Sequence, residues 1–144
     1  GVSGDTSAGG LARLTWALVG KHEGLIIELG ANDGLRGLDP SQTYLNLKTI
    51  IERAKSAHIE VLLTGMLAPP NLGLEYGREF NSVFPILARE QGIELFPFYL
   101  EGVVSDPSLN IDDGLHPNEK GIAIIVKNLL PKVRKIISKI KNLQ

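Results

Sequence analysis

Three short apolar, β-prone runs punctuate the chain, at residues 25–29, 61–66 and 94–100. Within each, apolar residues follow one another with little alternation, the pattern of strands buried on both faces of a sheet. The stretches around them change period. Residues 11–21 form a helical segment before the first run. Residues 43–58 place Leu45, Leu47, Ile50, Ile51 and Ala54 at helical spacing, and residues 78–91 do the same with Phe80, Val83, Phe84, Leu87 and Ala88. Gly92 follows as a C′ residue. The order α-β-α-β-α-β-α predicts an α/β fold built on a doubly wound parallel sheet.

The last helix is expected from Asn118, an N-cap residue placed just after Pro117. Ile122, Ile125, Val126, Leu129, Leu130, Val133, Ile136, Ile137 and Ile140 then form one stripe of i+3 and i+4 steps. Its apolar face reads as fully used by a core. Pro131 lies inside the stripe and predicts a kink or short break, with the same face buried on both sides. The Pro/Gly-rich residues 67–77 read as a long strand-to-helix loop, of the kind that lies over the active side of open α/β sheets.

Composition narrows the class. The chain of 144 residues is 43% hydrophobic and 22% charged, an ordinary globular mix with enough length for one core. Its net charge of −1 gives no reason to expect a nucleic-acid partner. That balance hides an asymmetry: residues 119–144 hold seven bases and one acid, whereas residues 1–118 hold eight bases and fifteen acids. The cationic end suits the C-terminal half of a helix dipole. No run of 18 apolar residues is present, so no membrane span is expected, and no signal peptide is visible. Cysteine is absent, which excludes disulfides and thiolate metal sites. The three His residues lack zinc-ligand spacing.

Candidate chemistry sits where the strands end. After the first run comes Gly30-Ala31-Asn32-Asp33-Gly34; after the third and a loop comes Asp112-Asp113-Gly114-Leu115-His116-Pro117. Ligands of open parallel sheets bind at strand C-terminal ends, so Asn32, Asp113 and His116 are expected to converge there. Taken alone, Asn-Asp-Gly reads as a turn, and a His before Pro as a surface or capping residue. Together they say more. Asp113 lies three residues before His116, close enough to accept from the ring Nδ1–H, and the Asn32 amide can donate to a developing oxyanion. An Asp–His pair plus an Asn donor is part of a nucleophilic hydrolase site.

With these residues in view, the chain resembles the SGNH (GDSL-type) hydrolases. Ser3-Gly4-Asp5-Thr6-Ser7 with Gly10-Leu11-Ala12-Arg13-Leu14 is similar to the family's second block and its helix. Residues 28–37, Glu-Leu-Gly-Ala-Asn-Asp-Gly-Leu-Arg-Gly, are similar to the third block and the mobile loop beside it. Residues 112–118 match the final Asp-x-x-His block. The segment Ala68-Pro69-Pro70-Asn71-Leu72-Gly73, with Tyr76 and Phe80, is similar to the family's loop after the next strand. The resemblance implies a three-layer α/β/α, flavodoxin-like fold. It implies His116 as base, Asp113 as its orienter, and Gly4 and Asn32 as oxyanion donors. Leu35, Leu38, Leu67, Leu72 and Tyr76 become candidate acyl-pocket walls. It implies no metal and no organic cofactor.

The family's Gly-Asp-Ser-Leu block has no counterpart here. Gly4-Asp5-Thr6 is too close to Asn32 to be that block, and Ser3 and Ser7 read as turn and cap residues. The expectation is therefore one SGNH domain over residues 1–144, incomplete at its N-terminus, with the nucleophilic Ser upstream and the chain as given inactive. The residues 25–29 would then form an edge strand with an uncovered apolar flank, prone to self-association. The implied function is hydrolysis of a small-molecule carboxylic ester or thioester, of esterase, lysophospholipase or acyl-CoA thioesterase type. Two alternatives stand beside it: a nonenzymatic relative acting as a binding protein, and a carbohydrate O-acetyl esterase. The resemblance also implies a periplasmic or secreted location.

Overall fold

The structure, a computed structural model, describes residues 2–143. Three strands, β1 (Gly24–Ile27), β2 (Glu60–Thr64) and β3 (Glu94–Phe96), form a parallel sheet in the order β1-β2-β3. Leu25 lies opposite Val61, and Leu63 opposite Leu95. The helices in chain order are α1 (Ser7–Ala12), α2 (Leu14–Ala17), α3 (Ala31–Leu35), α4 (Pro40–Ser56), α5 (Leu74–Gln91) and α6 (Glu119–Leu143). Each strand starts within one residue of its apolar run and is shorter than it.

Local chemistry sets the helix ends. Asp39 caps α4, its carboxylate accepting from the Ser41 N–H at 2.8 Å, with Pro40 as first helical residue. Gly92 ends α5 with φ 63°, a left-handed conformation that costs glycine little. Asn118 caps α6: its side-chain oxygen accepts from the N–H groups of Lys120 at 3.0 Å and Gly121 at 3.2 Å.

Alternation along β2 builds the layers. Val61 and Leu63 pack into one buried cluster with Ile27, Ile50, Ile51, Phe80 and Phe84, from β1, α4 and α5. Leu62 faces the other way, onto Phe96 and Ile136. α4 and α5 thus cover one face of the sheet and α6 the other, giving three layers. Phe80 and Phe84 meet edge to face, 5.6 Å apart at 72°. Each such fully buried side chain contributes about 1.5–3 kcal/mol of burial.

Six expectations are corrected. β1 is not buried on both faces, since Ile26 is 48% exposed; its place at the sheet's edge among the described residues is the one expected for residues 25–29. The α6 stripe is not wholly core; Ile125 and Ile136 are buried, while Ile122, Val126, Leu130 and Ile137 are exposed. Leu45 of α4 is likewise exposed. Residues 11–21 do not form one helix. α1 ends at Ala12 and α2 is a single turn, with Trp16 and Val19 in solvent, so no continuous apolar face drives a longer helix. Residues 67–77 are not all loop, because a 3₁₀ turn at Pro70–Leu72 leads into α5, which begins at Leu74. Finally, no break occurs at Pro131: α6 is one helix from Glu119 to Leu143. Pro131 removes one backbone donor, and the contacts of Ile125 and Ile136 with the body lie on both sides of it.

Candidate active site

The loop between β3 and α6 ends in a compact turn. Ile111 donates its N–H to the His116 carbonyl at 2.8 Å, and Asn118 donates its N–H to the Leu109 carbonyl at 2.9 Å. An isolated antiparallel bridge joins Asn110 and Pro117. Asn110, buried, donates its side-chain amide to the carbonyls of Val103 and Asp106 at 2.8 Å each. These bonds close the turn and fix the spacing between Asp113 and His116.

Inside that turn Asp113 acts as a local acceptor. Oδ1 takes the N–H groups of Leu115 at 2.8 Å and His116 at 2.9 Å, and Oδ2 lies 2.6 Å from His116 Nδ1. The two backbone donors, His116 first and then Leu115, together with the His116 ring, hold the Asp113 carboxyl down at about 2. The carboxylate is therefore ionised at neutral pH and fixes the tautomer with hydrogen on Nδ1, leaving Nε2 as acceptor. Among the described residues Asp113 is the hydrogen-bond partner shown for the ring, and the His116 side chain is 70% exposed.

Asn32 does not lie in a turn. Gly30, with φ 107°, ends the strand exit and lets the chain enter α3 directly, so Asn32 and Asp33 fall in a first helical turn. Asn32 Nδ2 donates to the Asp5 carbonyl at 3.0 Å, which leaves its second N–H. Arg36 Nη2 donates to the Gly4 carbonyl at 2.8 Å. Asn32 in α3 and Arg36 at its C-terminal cap thus grip successive carbonyls of the Gly4 loop. Gly4 itself has φ 73°, and its N–H is not taken by any backbone acceptor among the described residues. Gly4 and Asn32 are brought to one place.

Sequence reasoning missed the residue beneath them. Asp33, 2% exposed, accepts from the Ser7 N–H at 2.8 Å, from the Ser7 hydroxyl, and from the Thr43 hydroxyl at 3.1 Å. Asn46 adds a bond to Ser7 Oγ at 3.0 Å. Ser7 is therefore a buried acceptor–donor relay, and Thr6 is the N-cap of α1, its hydroxyl accepting from Gly9 N at 3.2 Å. Arg13 Nε pairs with Asp5 Oδ2 at 2.6 Å and holds the same loop from its far side. The residues next to Asp33 in the sequence carried no signal of this role, because its hydroxyl partners Ser7 and Thr43 come from other parts of the chain.

The five candidate wall residues are partly gathered. Tyr76 donates its hydroxyl to the Leu38 carbonyl at 2.8 Å and stacks on Phe80 at 5.8 Å. Leu72 lies beside Gly37, within 3.7 Å of where a Cβ would stand. Leu35, Leu38 and Leu67 are exposed. None of the five lines the groove along residues 105–114 or the groove between β1 and α6.

Known proteins are similar to this chain in sequence and fold. A family model for the GDSL-like lipase/acylhydrolase family matches residues 1–124. The thioesterase 1/protease 1/lysophospholipase L1 of Escherichia coli K12 is 39% identical over 139 residues, which is 95% of this chain and 66% of that protein. An arylesterase of Vibrio mimicus is 43% identical over 118 residues, 81% of this chain and 58% of its own length. The crystal structure of TesA superposes with a TM-score of 0.88 at 40% identity, covering 93% of this chain and 75% of that one. The chain spans about two thirds of the length of the first of these relatives. With a match running from the Gly4 loop past the Asp113–His116 turn, the chain belongs to the GDSL-like lipase/acylhydrolase family.

Proposed function

We propose that this chain supplies the acid–base pair and two oxyanion donors of a carboxylic ester or thioester hydrolase working by Ser-His-Asp acyl transfer. The observation that carries it is the Asp113–His116 pair, with Oδ2 and Nδ1 2.6 Å apart and Nε2 left as the acceptor. The names of the relatives, thioesterase, lysophospholipase and arylesterase, support the substrate class.

In this reading a seryl hydroxyl from outside residues 1–144 attacks the acyl carbonyl. His116 Nε2 takes its proton and returns it to the leaving alkoxide or thiolate, while Asp113 holds the ring and stabilises the imidazolium. The carbonyl oxygen becomes an oxyanion within reach of the Gly4 N–H and the second N–H of Asn32. Water then repeats the sequence on the acyl-enzyme, releasing the acid. Each oxyanion donor is worth about 3–4 kcal/mol of barrier. Residues 1–144 alone are inactive on this account, and export to the periplasm or medium accompanies it.

The test joins residues 1–144 behind a strand–helix segment bearing Gly-Asp-Ser-Leu. Hydrolysis of p-nitrophenyl esters is expected, abolished by His116→Ala. Full activity in that variant would overturn the assignment of the base.

A further inference from the structure

The side of α6 turned away from the sheet carries a regular pattern of its own. Lys120, Lys127, Arg134 and Lys141 stand seven residues apart. Ala123, Leu130 and Ile137 fall between them, each three residues after one base and four before the next. Those spacings make all seven helix neighbours, so base and apolar residue alternate along one strip. All seven are exposed. At 3.6 residues per turn the strip lies on the opposite side of α6 from Ile125 and Ile136, which are buried. It is therefore distinct from the groove between β1 and α6. From Lys120 to Lys141 it extends about 32 Å.

Charge narrows what such a strip meets. Residues 119–144 hold seven bases and one acid, against eight bases and fifteen acids in residues 1–118. Three of the seven, Lys132, Lys135 and Lys139, converge on Glu94 at 3.6, 2.7 and 3.2 Å. The other four form the strip, and among the described residues none of them has an ion-pair partner. This separation of charge turns the strip toward an extended negative surface and the acidic body away from it. The apolar positions then choose among negative surfaces. Leu130 is 39% exposed and Ile137 46%. A nucleic acid would engage the bases and leave both in water. A second copy laid on the strip would set base against base, which repels. A protein helix docks into a groove, and the strip is a ridge. A bilayer interface takes every part of it: lipid phosphates meet the bases, the acyl boundary receives Leu130 and Ile137, and the lysine stems lie between.

We propose that this strip docks the chain on the surface of an anionic phospholipid bilayer, with α6 lying along the headgroups. The proposal does not rest on the hydrolase reading. Lys120 stands four residues after His116, so a bilayer along the strip meets the end of α6 next to the dyad.

The test is co-sedimentation of the 144-residue chain with phosphatidylcholine vesicles, pure or containing about a quarter phosphatidylglycerol. Partition onto the phosphatidylglycerol vesicles is expected to be at least about tenfold stronger, and to fall as salt is raised. Each neutralised base of the strip is expected to cost about fivefold, so K127Q/R134Q loses about 25-fold. Lys135→Gln, on the Glu94 flank, is expected to change partition less than twofold. L130S/I137S keeps every charge and is expected to weaken binding about tenfold. All these positions are exposed except the half-buried partners of Glu94, and unchanged thermal midpoints show that the fold is kept. Equal partition onto both vesicles, binding that survives K127Q/R134Q, or an equal loss in Lys135→Gln would overturn the proposal. So would binding indifferent to L130S/I137S, which marks a bare polyanion site, or self-association of the chain that this variant abolishes, which marks a second copy.

Discussion

Ser7 and Asp33, 26 residues apart, are joined twice: the Ser7 N–H donates to Asp33 Oδ2 at 2.8 Å, and its hydroxyl donates to Oδ1. The pair ties the start of α1 to the first turn of α3, directly beneath Gly4 and Asn32. Asp33→Ala would leave the donors of Ser7 and Thr43 buried without an acceptor, and is expected to cost about 3 kcal/mol. Asp33→Asn keeps the shape but turns an amide N–H₂ toward a donor, for a loss of about 1–2 kcal/mol. Ser7→Ala and Asp33→Asn share one network, so their effects are expected to couple by about 1 kcal/mol in a double-mutant cycle. Urea titrations of the three single variants and of the Ser7→Ala/Asp33→Asn double variant check this. Simple additivity would show the pair to be incidental.

The acid limb of the dyad follows from its donors. Asp113 is held at about 2, below the ordinary carboxylate value of about 3.9. A depressed folded value means that the stabilising contribution is complete above the unfolded value and is lost as pH falls through about 2. His116→Ala removes the ring but keeps both backbone N–H groups, which lower the carboxyl more than the ring does. The Asp113 titration in that variant is therefore expected to rise only part of the way toward the ordinary value. Carbon-detected NMR of the Asp113 carboxyl measures both inflections.

The oxyanion assignment makes a separable prediction in the enzyme joined to its serine segment. Asn32→Ala removes one N–H aimed at charge that exists only in the transition state. It is expected to lower kcat by about 10²–10³ with little change in KM. The same variant loses the bond to the Asp5 carbonyl, so loop disorder is a competing cause. Arg36→Ala, which loosens the neighbouring Gly4 carbonyl and removes no proposed oxyanion donor, is the control and is expected to cost far less. Steady-state kinetics on p-nitrophenyl esters distinguishes them.

Features set by local chemistry were legible in the sequence, and features set across the chain were not. Asp113 reaches His116 within three residues, and Asn118 and Gly92 mark helix ends from their own side chains or backbone freedom. The Asn32-Asp33-Gly34 segment reads as a turn because its composition is that of a turn; it is helical in a structure where Asp33 bonds Ser7 and Thr43, neither adjacent in sequence. The apolar stripe of α6 shows how many positions shun water, but periodicity carries no information on which of them a neighbour covers. Ile26 illustrates the same limit: its apolar run reads as a strand buried on both faces, and the edge position is expected from the missing Gly-Asp-Ser-Leu block, not from the run itself.

Two glycines give opposite expectations for the same substitution. In a helix interior Ala is preferred over Gly by about 1 kcal/mol. At Gly77 in α5 nothing lies within 4 Å of an added Cβ, so Gly77→Ala is expected to stabilise by about 0.5–1 kcal/mol. At Gly121 in α6 the added Cβ would stand 2.3 Å from the Leu109 carbonyl oxygen and 3.0 Å from Pro117 and Val103. A backbone carbonyl cannot swing aside as a flexible side chain can, so overpacking wins and Gly121→Ala is expected to destabilise by about 1–3 kcal/mol. Its effect reaches the site, because Leu109 also accepts from the Asn118 N–H at 2.9 Å, and that bond closes the turn holding Asp113 and His116. Thermal melts give the signs of the two changes. The chemical shift of the Asp113 carboxyl, unchanged in Gly77→Ala and displaced in Gly121→Ala, shows whether the close approach of α6 to Leu109 sets the dyad's geometry.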